Sequence, residues 1–288
     1  MRIFRFFCRA AVFVFLLASC RGHDYENRPN VAETGGAVTL MNFGGEREKR
    51  GGEFASRLSV AMRAAELPAA VCRRILETQE RSGDFARDLG AVLAGPAYLR
   101  VLVDGNNPLP QNYSPPDLVP LAGTSYRENR KGLTMRRSAA LALEKMAKAA
   151  AADGITLLVA SAYRSYDYQI AVHNRYVEIM GRAAAERISA RPGYSQHQTG
   201  LAVDFHSSID NSFARTPAGH WMESNAPRFG WSPSYPQDYE QITGHSWESW
   251  HFRYLGKELA DFTERYFGGI QQFALRFLHE WENPREPD

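Results

Sequence analysis

Two histidines and two carboxylates stand in two short runs of this chain, at spacings that suit a hydrolytic metal centre. The run Ser195-Gln-His197-Gln-Thr-Gly200-Leu-Ala-Val-Asp204 offers an imidazole and a carboxylate around a glycine. The run Glu248-Ser-Trp-His251 offers a second imidazole three residues after a glutamate. Two imidazoles and one carboxylate on Zn2+, with a fourth position left for water and an unligated glutamate as base, make up such a centre. On this reading His197, Asp204 and His251 are the ligands and Glu248 is the base.

Ligands need rigid supports, and the flanking sequence supplies them. Leu201–Phe205 is a short apolar run opened by Gly200, which predicts a strand carrying Asp204 and leaves His197 in the turn before it. Trp250 and Phe252 flank His251 as strand-compatible aromatics, and the two-residue period sends His251 to the face opposite both. Ile155–Ser161 is β-branched and apolar, a buried strand, with Tyr163-Arg164-Ser165 as the turn at its end. Ser165 is placed to cap the next helix, whose Val172, Tyr176, Ile179 and Met180 form one apolar stripe, read as core. Arg164 therefore stands at a strand-to-helix junction, where the helix N-terminus adds partial positive charge. From the residues alone it serves either an anionic ligand or a structural ion pair to a domain carboxylate.

With these residues on the page, the chain resembles the VanY-type D-alanyl-D-alanine carboxypeptidases of the LAS zinc metallopeptidases. That family carries S-x-H-x-x-G-x-A-x-D followed by E-x-W-H, and both patterns occur here without a gap. The similarity extends through Ser161-Ala-Tyr-Arg-Ser165 with Gln169, Asn107-Pro-Leu-Pro110, Asp117-Leu-Val119 and Ile242-Thr-Gly244, over roughly residues 98 to 267. Ser249 stands where proline is common in the family. The resemblance implies zinc on His197, Asp204 and His251, Glu248 as general base, and Arg164 on an anionic part of the substrate or intermediate. It also implies Ser161, Gln169 and Ser195 at the substrate, a peptidoglycan stem peptide whose C-terminal residue is removed. The fold expected is α+β, a mostly antiparallel sheet packed with helices and preceded by a small helical region. On the same zinc site an LD-carboxypeptidase, a dipeptidase or an endopeptidase is the alternative. A non-catalytic wall-binding lipoprotein is a further one, against which the intact Glu248 argues.

The rest of the chain frames this domain. Its 288 residues, 44% of them hydrophobic, suffice for one catalytic domain and something smaller. A net charge of +2 with no basic stripe argues against a nucleic-acid partner. Residues 1–20 read as a secretory signal: Arg2, Arg5 and Arg9 precede an apolar run too short to span a bilayer. Leu17-Ala-Ser-Cys20 resembles the bacterial lipobox, which implies lipidation of Cys20 and a membrane-anchored, exported lipoprotein of the cell envelope. Removal of Cys8 and lipidation of Cys20 leave Cys72 alone, read as a small buried hydrophobe with no disulfide partner. Residues 21–52 read as a flexible tether and 53–95 as a small helical region, with Leu58, Met62 and Ala65, then Val71 and Ile75, then Leu89, Val92 and Leu93 on successive apolar faces. That region either docks on the catalytic domain or binds a partner or cell-wall glycan.

The peptidase domain, 96–288, is expected to open with a strand over Tyr98–Val103 and an extended Pro-rich segment to Asp117. A helix over Leu133–Ala152 ends at Gly154. Trp221–Tyr239 reads as a loop-rich cleft wall, and helices over Gly256–Phe267 and around Phe273 and Trp281 close the chain. Of the eight histidines, His206 falls outside the ligand pattern, His245 reads as a cleft-wall or surface residue, and His173 and His279 read as exposed. The sequence sets no oligomeric state.

Overall fold

Three short extended runs, each too brief to be stable alone, pair side by side as the centre of the main sheet. The structure is a computed structural model and describes residues 43–206 and 210–284. Helices α1 (Phe43–Ala64), α2 (Ala69–Ser82) and α3 (Asp84–Ala94) come first, followed by strands β1 (Leu118–Pro120), β2 (Tyr126–Glu128) and β3 (Thr134–Arg136). Helix α4 (Arg137–Ala152), strand β4 (Leu157–Ser161), helices α5 (Tyr166–Met180) and α6 (Arg182–Ala185) and strand β5 (Ala202–Phe205) come next. The chain continues through helix α7 (Pro217–Asn225), strand β6 (Trp231–Pro233), helix α8 (Glu240–Thr243), strand β7 (His251–Tyr254) and helices α9 (Lys257–Phe267) and α10 (Gln271–Glu282).

The main sheet has the order β2-β4-β5-β7-β6, and all its pairings except β2 with β4 are antiparallel. A separate two-stranded antiparallel pair joins β1 and β3. This is the expected α+β architecture. Alternation along β5 and β7 sends Val203, Phe205 and Phe252 into a core built with Leu143 and Met146 of α4. Phe205 and Phe252 meet edge to face at 5.8 Å, a geometry worth about 0.5–1.5 kcal/mol beyond area burial.

A second core joins α1, α2 and α3 to α9 and α10. Phe85 stands at its centre, with ring centroids 5.3 Å from Phe262, 4.9 Å from Tyr266 and 5.6 Å from Phe277. Polar ties border it: Arg57 Nη2 donates to the Trp281 carbonyl at 2.7 Å, and the Tyr266 hydroxyl donates to Asp88 at 2.8 Å. The amino-terminal helical region is thus docked on the carboxy-terminal helices, and its apolar stripes are spent there.

Several expectations are corrected. Helix α1 reaches back to Phe43, into the stretch read as tether, because the pairs Gly44-Gly45 and Gly51-Gly52 hide its periodicity. Tyr98–Val103 is not a strand: a 3₁₀ turn occupies Ala97–Leu99, and the carbonyls of Leu99 and Val101 accept from the Arg253 guanidinium at 3.1 and 2.8 Å instead of a neighbouring strand. Helix α4 starts at Arg137, since Thr134–Arg136 is taken up by pairing with β1. The segment after β5 holds more order than its prolines suggest, with Thr216 capping α7 by accepting from Gly219 N at 2.9 Å. His173 is buried, not exposed, and Cys72 is only half-buried, its Sγ directed at the Leu67 carbonyl. The signal and lipidation features around Cys20 lie outside the described residues. No helix among the described residues is long and apolar enough to cross a membrane.

Candidate metal centre

Strand register assembles most of the site. Asp204 of β5 pairs directly with His251 of β7, and Ser161 of β4 pairs with Asp204 from the other side. Residues opposed on one face of an antiparallel pair stand about 4.5–5.5 Å apart at Cβ, which brings carboxylate and imidazole within reach. His251 Nδ1 lies 2.9 Å from Asp204 Oδ1. His197 comes from the 3₁₀ turn Gln196–Thr199 just before β5, where Ser195 caps the turn by accepting from His197 N at 3.3 Å. Gly200 closes that turn at a φ of +71°, and a Cβ there would meet the Leu118, Pro115 and Arg136 side chains at 3.1 to 3.2 Å. Both the left-handed backbone and the close approach require glycine.

The donor chemistry fits a metal ion. His197 Nδ1 lies 2.6 Å from the Ala162 carbonyl, which only accepts, so Nδ1 carries the proton and Nε2 the lone pair. That Nε2 is buried without a hydrogen-bond partner and stands 3.2 Å from Asp204 Oδ2. A lone pair and an ionised carboxylate held this close in a buried site call for a cation between them. The donor atoms of His197, Asp204 and His251 all lie within 4.8 Å of one another, and no other such group occurs among the described residues. Donors at ~2.0–2.2 Å from a tetrahedral zinc stand roughly 3.4 Å apart, inside the 4.8 Å that bounds these three. Burial, reinforced by the Arg164 charge, drives His197 down to about 4, so the ring is in its neutral, ligating form. Burial works against the Asp204 carboxylate, but the group is held well below its usual range, with the His251 ring 2.9 Å from Oδ1 as a hydrogen-bond partner.

Glu248 faces the same centre without joining it. Its backbone N–H donates to the Tyr235 carbonyl at 3.0 Å, and its Oε2 lies 3.7 Å from His251 Nδ1. Burial pushes its carboxyl well above the ordinary glutamate value, the Asp204 charge acts in the same direction, and Arg164 opposes both. A carboxylate so tuned binds a proton more strongly than an exposed one, as a general base must. Arg164 N–H donates to the His197 carbonyl at 3.3 Å, and Nη2 lies 3.7 Å from Asp204 Oδ2. Ser165 caps α5 as expected, accepting from Tyr168 N at 3.1 Å. Arg164 thus stands beside a domain carboxylate and borders the cleft, so both readings of it meet in one place.

Ser161, Arg164, Gln169 and Ser195 border one cleft of about 400 Å³ together with the three donors and Glu248. Gln169 is tied down, donating to the Ala190 carbonyl at 2.7 Å, and His173 one turn later lies 2.9 Å from the Ser189 carbonyl. The inward face of α5 is therefore polar, which overturns the reading of its apolar stripe as core. Val172, Tyr176 and Ile179 line the cleft, and Ile179 is 66% exposed. Periodicity assigned these residues to one face but carried no information about which way that face turns. His206 points to Ser212 at 3.3 Å and takes no part, while His245 forms cleft wall as read. Tyr235 escaped the sequence: its ring centroid lies 4.9 Å from His251 and 4.5 Å from His245, and burial raises its phenol well above the usual value. It lies in a proline-rich stretch with no spacing relation to the ligands.

A mixed sheet that presents two imidazoles, a carboxylate and an unligated glutamate in one cleft defines a metal-dependent hydrolase. The chain belongs to the VanY family: the family model described as VanY, D-alanyl-D-alanine carboxypeptidase, matches residues 132–257, a span that contains all four groups. YodJ of Bacillus subtilis (strain 168), which bears the name of a carboxypeptidase, is 37% identical over 193 residues, covering 62% of this chain and 71% of its own. The solved LdcB LD-carboxypeptidase is similar at 37% identity and a TM-score of 0.52, over 59% of this chain and 85% of that one. A vancomycin-resistance D,D-pentapeptidase VanY solved with Zn(II) is similar at 32% identity and a TM-score of 0.52, over 62% of this chain and 99% of that one.

Proposed function

We propose that this protein is a zinc-dependent D-alanyl-D-alanine carboxypeptidase that removes the C-terminal residue of peptidoglycan stem peptides. The observation that carries the reading is a three-donor set with a buried, unligated Glu248 and a cationic Arg164 on the same cleft. His197 through Nε2, with Asp204 and His251, holds the ion. Bound there, zinc acts as a Lewis acid that lowers the pKa of water and polarises the scissile carbonyl. Glu248 takes the proton of the attacking water and passes it to the leaving amine. Arg164 binds an anion, either the free C-terminal carboxylate or the oxyanion that develops at the carbonyl. The Ala162 carbonyl fixes the tautomer and orientation of His197. Ser161, Gln169 and Ser195 border the peptide.

An exopeptidase must tell a free carboxylate from an amide, so the test is to amidate the terminal residue of a D-Ala-D-Ala peptide. Amidation should lower kcat/KM by at least ~10², about 2.7 kcal/mol of transition-state binding. Equal cleavage of acid and amide would replace the carboxypeptidase reading by an endopeptidase. A second reading, an LD-carboxypeptidase acting on an L-to-D peptide bond with the same centre, is favoured by the similarity to LdcB.

The lipobox-like Leu17-Ala-Ser-Cys20 supports export and a lipid anchor on Cys20 at the membrane of the cell envelope. Cys20→Ser should move the protein out of the detergent phase. Unchanged partition would point to another means of attachment.

A further inference from the structure

Ser234, just after β6, touches the segments that carry both histidines. Its backbone N–H donates to the His251 carbonyl at 3.1 Å, and its hydroxyl donates to Gln196 Oε1 at 2.8 Å, immediately before His197. The same hydroxyl oxygen accepts from Gln271 Nε2 at 3.1 Å, and Gln271 also donates to the Ser232 carbonyl at 3.0 Å. Gln196, Ser234 and Gln271 are each 1% exposed. Water does not replace a partner lost from such a chain, so the three groups hold one another in register.

The need for this link follows from the topology. Pairing of β5 with β7 sets Asp204 against His251, but His197 lies outside that ladder, on a turn. Ser234 spans the gap from the far side of β7. Gln271 begins α10, and Phe277 of the same helix packs against Phe85 of α3 at 5.6 Å. The amino-terminal helices therefore brace the helix that holds the serine.

We propose that Ser234 and Gln271 are positioning residues of the metal centre. The relay Gln271–Ser234–Gln196 fixes the His197 turn relative to β7 and so sets zinc affinity. The proposal rests on the metal-centre reading given above. Gln272, one residue along, supplies an internal control: it is equally buried but donates to Asp104 at 2.7 Å, with no bond to either ligand segment.

The test measures the zinc dissociation constant by competition with a chromophoric chelator, and the thermal midpoint of the metal-free protein, for the parent, Ser234→Ala, Gln271→Met, their double variant and Gln272→Met. Ser234→Ala leaves the backbone bond to His251 in place. Ser234→Ala and Gln271→Met should each weaken zinc by about 10–100-fold, as loss of an outer partner of a ligand does. The double variant should be little worse than either single one, because both break the same chain. Gln272→Met should lower the midpoint and leave zinc affinity within about two-fold of the parent, on the same scale. Unchanged zinc affinity in Ser234→Ala and Gln271→Met, or a loss in all three that merely follows the midpoint, overturns the proposal. If one of the two folds poorly, the other decides. A parent that takes up no zinc overturns the metal-centre reading and this assignment together, whereas a parent that binds zinc no better than Ser234→Ala overturns this assignment alone.

Discussion

Replacing Glu248 by glutamine separates the base from everything else in the site. The residue is 7% exposed, and glutamine fills the same volume without creating a cavity. Glu248 is not one of the three grouped donors, so the metal should stay. Loss of a general base typically costs 10²–10⁴ in rate, which is about 2.7–5.4 kcal/mol of barrier. The same substitution has a second signature. Burial and the Asp204 charge raise the Glu248 pKa above 4.5, so from pH 4.5 upward the folded chain keeps a proton that the unfolded chain has lost. Stability contributed by that proton declines as pH rises through this window toward the folded pKa. Glutamine does not titrate. The metal-free Glu248→Gln protein should therefore unfold at a higher temperature than the parent at pH 7, with the difference closing below pH 4.5. The assay follows D-alanine release at saturating zinc, with metal content and the two melting curves measured on the same preparations. Activity within a few-fold of the parent with zinc retained would refute the assignment of the base.

Asp204→Ala should abolish stoichiometric zinc by elemental analysis, and a full retained equivalent would remove Asp204 from the site. Arg164→Lys should abolish discrimination between acid and amide substrates if the guanidinium reads the terminal carboxylate, and should slow both equally if it stabilises the oxyanion; no effect on either would exclude it from the site. Gly200→Ala should lower both the melting midpoint and zinc affinity, since the residue holds a φ of +71° and an added Cβ meets three side chains. Unaltered metal binding would show that the turn tolerates the change.

The ligand residues were legible in the sequence because each motif is local: His197, Gly200 and Asp204 share one turn and strand, and Glu248 and His251 share another. The two-residue alternation around His251 likewise set Phe252 on the face opposite the ligand, where it is buried. What joined the motifs was not legible, because register is a long-range property. Nothing in either run states that Ser161, Asp204 and His251 lie in one row across β4, β5 and β7. The orientation of α5 escaped for a related reason: Gln169 and His173 satisfy the carbonyls of Ala190 and Ser189, and these distant partners turn the polar face inward. The 98–103 segment looked like a strand because its end is apolar, and Leu102 and Val103 are indeed buried, yet the carbonyls of Leu99 and Val101 are satisfied by a side chain, Arg253. Tyr235 and Ser234 carry no pattern of their own and gain their meaning from what β6 places beside β7.

Mass analysis of purified muropeptides after digestion reads directly which bond of the stem is cut. With zinc bound, pentapeptide stems should lose one terminal alanine and release free D-alanine, a conversion that stops on chelation and returns when zinc is restored. A cut inside the stem, or stems unchanged by the zinc-loaded protein, would contradict the account.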